Sequence, residues 1–301
     1  MKLLFFLKRL IFRAYLALPF NRLLFSYIKS RYTPPYRIRR LLRFKGTFSL
    51  SLGTEAEIRL MSYGNTIENE LFWLGLKGWE YRALQGWMRL SKSSQVILDV
   101  GANSGLYSVA SRCINSTADI YAFEPLPVMV KRLQKNMALN FIQVHICDIA
   151  LADENGEGKI YAAPTVSDTF DQASLNSRKS HESEYLLIRK KKMSTFIDEY
   201  KVEKVDLVKI DVETYEPWVL KGMEGYLEKF RPSFLIEILN EHVGTSVYEI
   251  VKGLGYKFYR IDEKKGYFPQ DNLVPDRRGS NFFLINEKKH PDFHDSIMAL
   301  T

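Results

Sequence analysis

Apolar and polar positions along this chain follow two patterns, with the change near residue 96. Beyond it, short apolar runs alternate with stretches of helical spacing, as expected for strands and helices built around a parallel sheet. Residues 96–100 read as a short buried strand, Gly101-Ala-Asn-Ser-Gly105 as a tight loop and 106–114 as a helix. The same alternation predicts strands at 119–123, 142–146, 205–210 and 233–238, and helices at 126–139, 193–200, 217–229 and 246–254. Shorter strands read at 159–162 and 185–188. The last two strands are 256–261 and 281–285; the linker between them has no helical pattern, so they are expected to pair antiparallel.

The first 95 residues are patterned differently. Residues 48–52 and 57–61 alternate on either side of Gly53-Thr-Glu and read as a hairpin. Residues 66–91 read as one or two helices interrupted near Gly75 and Gly78, with their tryptophans in the core. Residues 1–32 hold no run of about 20 apolar residues, so a spanning helix is not expected. Lys8, Arg9 and Arg13 interrupt the apolar region and do not suit a signal peptide. On a helix, Lys2, Arg9 and Arg13 share one side and Leu3, Leu7, Leu10 and Ala14 another, and Pro19 should end it. Two readings stand: an interfacial helix on an anionic membrane, or a helix docked on its own domain. The pattern divides the chain into a basic amphipathic segment (1–47), a hairpin and helical extension on the substrate side (48–92), a catalytic domain (93–288) and a C-terminal tail (289–301).

Charge sharpens that division. The 301-residue chain carries a formal net charge of +8, yet residues 1–54 hold 12 Lys and Arg and no Asp or Glu. The remainder has 31 basic and 35 acidic residues, a net of −4. A mildly acidic body is not expected to bind nucleic acid. Cys113 and Cys147 form no CxxC or Cys/His cluster, which points away from a zinc site and toward a reducing, cytoplasmic compartment. Membrane association at its cytoplasmic face follows if residues 1–32 lie on lipid.

A strand, a glycine loop and a helix in that order make a cofactor site. Glycines admit close approach of backbone N–H groups, and the helix start offers unpaired donors. The loop is Gly-x-x-x-Gly, with Asn103 where a dinucleotide loop needs its middle glycine against a pyrophosphate. Glu124 lies 23 residues beyond Gly101, where a carboxylate can accept hydrogen bonds from a ribose diol. Asp148, after the third strand of this region, can accept from an adenine amine. A nucleoside without phosphates, S-adenosylmethionine, fits all three features.

These residues resemble the FkbM-type family of class I S-adenosylmethionine-dependent methyltransferases. The resemblance rests on Leu98-Asp-Val-Gly-Ala-Asn-Ser-Gly105, Phe123-Glu-Pro125, Ala150-Leu-Ala-Asp153 and Asp206-Leu-Val-Lys-Ile-Asp-Val-Glu213. It continues through Glu216, Val219-Leu-Lys-Gly222, Arg231-Pro232 and Ile236-Glu237. Thr214 departs from the family's usual glycine. The resemblance implies an α/β, Rossmann-like class I methyltransferase fold, with a seven-stranded, mostly parallel sheet and an antiparallel last strand. It also implies O-methylation of a hydroxyl on a sugar, a glycan or glycolipid, or a secondary metabolite. Cofactor contacts are expected from Asp99, Gly101, Asn103, Gly105, Glu124 and Asp148.

Methyl transfer to a hydroxyl needs alignment and removal of a proton. If the strand at 205–210 continues, Asp211 and Glu213 share a face, as a catalytic base with its neighbour or as ligands of a divalent cation. His242, after the following strand, is a further candidate base. The bland alternatives are that Asp211 caps a helix and Glu216 is solvated. Arg189-Lys-Lys-Lys192 reads as a solvated strand end, with contact to an anionic partner as the alternative. Other readings of the whole chain are a nicotinamide-dependent oxidoreductase, which the missing middle glycine disfavours, and a non-catalytic membrane-surface scaffold. Oligomeric state is open.

Overall fold

The computed structural model describes residues 14–16, 18–53, 56–161, 185–277 and 279–298. These fall into two compact units, one up to Tyr81 and one from Arg82 onward. The helix read from residues 2–13 lies outside the described residues, as does most of the segment 154–184.

The smaller unit contains helix α1 (Asn21–Lys29), the short α2 (Tyr36–Arg39), strands β1 (Lys45–Ser51) and β2 (Glu57–Tyr63), and α3 (Thr66–Leu74). The expected hairpin is present and longer than read, with Lys45 opposite Tyr63 and Ser51 opposite Glu57. Its alternation buries Phe48, Leu50, Ile58 and Leu60. Aromatic rings build the core: Phe44 meets Phe72 edge-on at 4.7 Å, and Phe25 approaches Trp73 at 6.0 Å. The basic stretch after residue 36 is partly paired within this unit. Arg39 lies 2.5 Å from Glu70, with only 11% and 9% of the two side chains exposed. Arg43 donates to the Gly64 carbonyl at 2.9 Å.

In the larger unit, α4 (Tyr81–Ser93) buries Trp87, whose indole N–H donates to Ser111 Oγ at 2.7 Å. Then come β3 (Val96–Val100), α5 (Leu106–Ile114), β4 (Asp119–Phe123), α6 (Pro127–Leu139) and β5 (His145–Cys147). A small three-stranded sheet follows, from β6 (Ala150–Ala152), β7 (Gly156–Tyr161) and β8 (Tyr185–Lys192). After α7 (Met193–Tyr200) the main sheet resumes with β9 (Leu207–Ile210), α8 (Glu216–Lys221), α9 (Gly225–Phe230), β10 (Ser233–Glu237) and α10 (Glu241–Val251). It closes with β11 (Lys257–Asp262), β12 (Gly266–Gln270) and β13 (Asn281–Ile285), before α11 (Phe293–Met298).

The main sheet runs in the order β12-β11-β13-β10-β9-β3-β4-β5. β5, β4, β3, β9 and β10 are parallel, and β13 enters antiparallel between β10 and β11. This is the expected class I methyltransferase architecture, with an eighth strand added at the edge. The linker without a helical pattern supplies that strand, β12, as a hairpin with β11. All residues of β3 and β9 are buried, as strands covered on both faces require. The helix expected over 217–229 is two helices. The break follows Gly222, where an added Cβ would lie 2.0 Å from the Ala152 carbonyl oxygen, and Glu224 takes φ +50°.

Candidate active site

The carboxyl ends of β3, β4, β5, β9 and β10 lie along one edge of the sheet, where open α/β folds hold ligands. Gly101–Gly105 follows β3 at this edge. Its backbone donors are already engaged: Gly101 N and Ala102 N both donate to the Phe123 carbonyl at 3.0 Å. Asn103 N donates to Glu124 Oε2 at 2.9 Å, Ser104 N to Asn103 Oδ1 at 2.7 Å, and Gly105 N to the Ala102 carbonyl at 2.8 Å. These N–H groups hold the loop together instead of pointing at a ligand, which corrects the sequence reading.

The glycines have the same internal logic. Gly101 sits at φ +79°, and a Cβ there would lie 2.0 Å from the Asp211 carbonyl oxygen. Gly105 sits at φ +85°, with a Cβ position 2.1 Å from Leu133 Cδ1. Both permit the chain to pack on itself: one brings the loop against the end of β9, the other seats α5 on α6. Buried Asn136 donates to the Ser104 carbonyl at 2.8 Å, a support the sequence did not single out.

Glu124 is the pivot of this edge. Only 6% of it is exposed, and its second oxygen accepts from Leu126 N at 3.0 Å. Burial pushes its carboxyl pKa up to about 7; the two backbone N–H groups oppose the shift, and the charges of Asp99 and Asp211 add to it. Asp99 is fully enclosed and accepts from Ser108 Oγ at 2.6 Å. It anchors the start of α5 and does not face outward as a cofactor contact would. Burial raises its pKa, opposed by the Lys209 ammonium. Asp148 is exposed and pairs with Arg189 at 2.6 Å.

The four cations at 189–192 are all matched by carboxylates. Lys190 pairs with Glu154, Lys191 with Glu199, and Lys192 with Glu224 at 2.6 Å. The run is therefore a ladder of ion pairs on β8, not a bare basic edge.

After β9 the structure parts from the alternation argument. The strand stops at Ile210, and Glu213 and Thr214 both take positive φ, +55° and +79°. Asp211 and Glu213 are therefore not on one strand face. Asp211 Oδ2 accepts from Lys209 Nζ at 2.7 Å; this lysine is buried and also lies 4.8 Å from the centre of the Tyr107 ring. Among the described residues, no group of three His, Cys, Asp or Glu is placed to hold a metal ion. His242 is exposed in the first turn of α10, outside the buried acidic group.

Glu216 is fully buried, not solvated. Its Oε1 accepts from Val212 N at 3.2 Å and Thr214 N at 3.1 Å, folding the 211–215 loop around one carboxyl group. Burial pushes its pKa up to about 8. The left-handed backbone at Thr214 accounts for the glycine usual there, because a β-branched residue is strained at that φ. Thr214→Gly should therefore raise stability by about 0.5–1 kcal/mol, the strain relieved less the entropy lost by a glycine. A lower melting midpoint would mean that the buried threonine side chain contributes more than its backbone costs.

The Methyltransferase FkbM domain model matches residues 99–261. Among curated relatives, the 2-O-methyltransferase NoeI of Sinorhizobium fredii (strain NBRC 101917 / NGR234) is 27% identical, over 47% of this chain and 63% of its own length. The hexuronic acid methyltransferase AglP of Haloferax volcanii is 26% identical over 58% of this chain and 70% of its own length. The chain thus spans about three fifths of the length of the first of these relatives. The crystal structure of Methyltransferase FkbM from Methylobacillus flagellatus KT aligns with a TM-score of 0.41 at 16% identity, over 64% of this chain and 44% of that one. With more than half of its length matched by the domain model, this chain belongs to the FkbM methyltransferase family.

Proposed function

We propose that this chain is an O-methyltransferase that takes its methyl group from S-adenosylmethionine and delivers it to a hydroxyl of a sugar-containing acceptor. The observation that carries the donor assignment is electrostatic. Asp99, Glu124 and Asp211 lie close enough for their charges to interact, and the buried Lys209 ammonium pairs with Asp211 at 2.7 Å. Carboxyl groups at this edge disfavour a further anion such as a pyrophosphate, and a cationic ligand would favour their ionised forms. The loop donors that would cradle phosphates are spent on Phe123, Glu124 and the loop itself. Both features suit a nucleoside bearing positive charge.

Glu124, beside the loop it holds, would accept the ribose hydroxyls. Asp148 can turn to an adenine amine by giving up its exposed pair with Arg189, which costs about 0–1 kcal/mol. When bound, the sulfonium supplies an electrophilic methyl carbon: the acceptor oxygen forms a bond to it as the carbon–sulfur bond breaks, and the hydroxyl proton must leave. Asp211 offers a partly exposed carboxylate at this edge to take the proton, and Lys209 fixes its direction. The buried Glu216 sets the loop that carries Asp211 onward to Tyr215. The sugar class of acceptor draws on the 2-O-methyltransferase and the hexuronic acid methyltransferase among the relatives.

Calorimetric titration with S-adenosylhomocysteine and with a nicotinamide dinucleotide tests the donor. Saturable binding of the first and none of the second is expected. The reverse result would remove the methyltransferase reading. Product masses after incubation with S-adenosylmethionine and hydroxylated sugars test the acceptor: a gain of one methyl group is expected, and its absence across sugars would direct the search to other hydroxyls.

A further inference from the structure

Helix α1 has two apolar faces, and among the described residues of the smaller unit only one of them is packed. Phe25 is buried against Phe44 and Trp73, and Asn21 is buried on the same side, where its amide donates to the Tyr15 carbonyl at 2.8 Å. On a helix packed this way, the opposite face should be polar. Here it is not. Phe20, Leu23, Leu24 and Tyr27 follow one another at i, i+3, i+4 and i+7, and are 73%, 62%, 53% and 58% exposed. That spacing gathers them into one stripe turned away from Phe25.

The charge along the chain on either side of this stripe is of a single sign up to residue 54. Arg22 and Arg31 are exposed on the same segment, and Arg37 and Arg40 are exposed around α2. No acidic residue precedes Glu55. A surface that joins an apolar and aromatic stripe to cations alone is complementary to an anionic bilayer, where the rings and leucines enter the headgroup boundary and the cations meet lipid phosphates. Among the described residues no helix is long and apolar enough to cross a membrane. We infer that the outer face of α1 is a membrane-docking surface for anionic phospholipid, made by Phe20, Leu23, Leu24 and Tyr27 with the arginines beside them. This inference does not depend on the reaction the larger unit performs.

Sedimentation of the full chain with phospholipid vesicles tests it. Vesicles with about 30% phosphatidylglycerol in phosphatidylcholine should bind at least about tenfold more tightly than pure phosphatidylcholine, and about 1 M salt should remove most of the difference. Leu23→Glu with Leu24→Glu should weaken binding to the anionic vesicles by about tenfold or more. Both side chains point away from the packed face, so the melting midpoint should stay in place. Three results would overturn the inference: no binding of the parent chain to anionic vesicles, binding that the double substitution leaves unchanged, or a dimer that the substitution converts to monomer. The last would make the stripe an interface between two copies.

Discussion

Glu124→Ala should weaken S-adenosylhomocysteine binding by about 100-fold or more, as read by calorimetry. Each hydrogen bond from a ribose hydroxyl to a buried carboxylate contributes roughly 1.5–3 kcal/mol, and two such bonds account for a loss of that order. The alanine would also release Asn103 N and Leu126 N, which Glu124 holds at 2.9 and 3.0 Å, and so loosen the loop that shapes the site. Glu124→Gln keeps one acceptor oxygen and should lose less. The pH dependence separates the carboxylate from a structural support. Burial has pushed the Glu124 pKa up to about 7, so near pH 6 most of the unliganded protein carries it protonated. Ribose hydroxyls donate to the ionised form. Affinity should therefore rise about tenfold from pH 6 to pH 8, and the glutamine variant should show no such rise. In the unliganded protein the sign is opposite. An unfolded chain gives up this proton at about 4.5, so stability falls as pH rises from there toward about 7. Affinity that stays flat with pH in the parent protein would show that Glu124 does not meet the ribose.

Much of the sheet was legible in the sequence because its strands are buried on both faces. Val96–Val100 and Leu207–Ile210 are almost continuous apolar runs, and no tertiary knowledge is needed to read them. β12 escaped for a local reason: it is short and contains Pro269, which argues against a strand unless the strand lies at an edge, as this one does. The break between α8 and α9 escaped for a distant one, since Gly222 is pressed against the Ala152 carbonyl, 70 residues away in the chain. The same distinction runs through the site. Glu124 could be placed because a strand end followed by Glu-Pro is a local pattern. The meaning of Arg189–Lys192 could not, because its partners Asp148, Glu154, Glu199 and Glu224 are scattered over three other segments. Alternation puts Glu213 beside Asp211 only if the strand runs three residues past Ile210; the left-handed turn at Glu213 and Thr214 belongs to the buried Glu216, whose enclosure has no signature in a polar stretch of sequence.

Asp211→Asn should lower turnover by about 10²–10³-fold while changing S-adenosylhomocysteine affinity far less, the ordinary consequence of losing a general base. The backbone around it is over-determined: Asp211 N donates to the Val100 carbonyl at 3.1 Å, and its own carbonyl lies against Gly101. An asparagine therefore keeps the position and the shape, and its amide oxygen can still accept from Lys209. It cannot take a proton from a hydroxyl at neutral pH. Stability should change little, because buried Lys209 retains Asp99 as a counter-charge. A conservative variant adds a second readout: Asp211→Glu should restore part of the rate that the asparagine loses. Unaltered turnover would remove Asp211 from catalysis. The proton would then have to go to Glu213 or to the exposed His242, both on the same sheet edge but outside the buried acidic group, and the rate would be far less sensitive to the charges that surround Lys209.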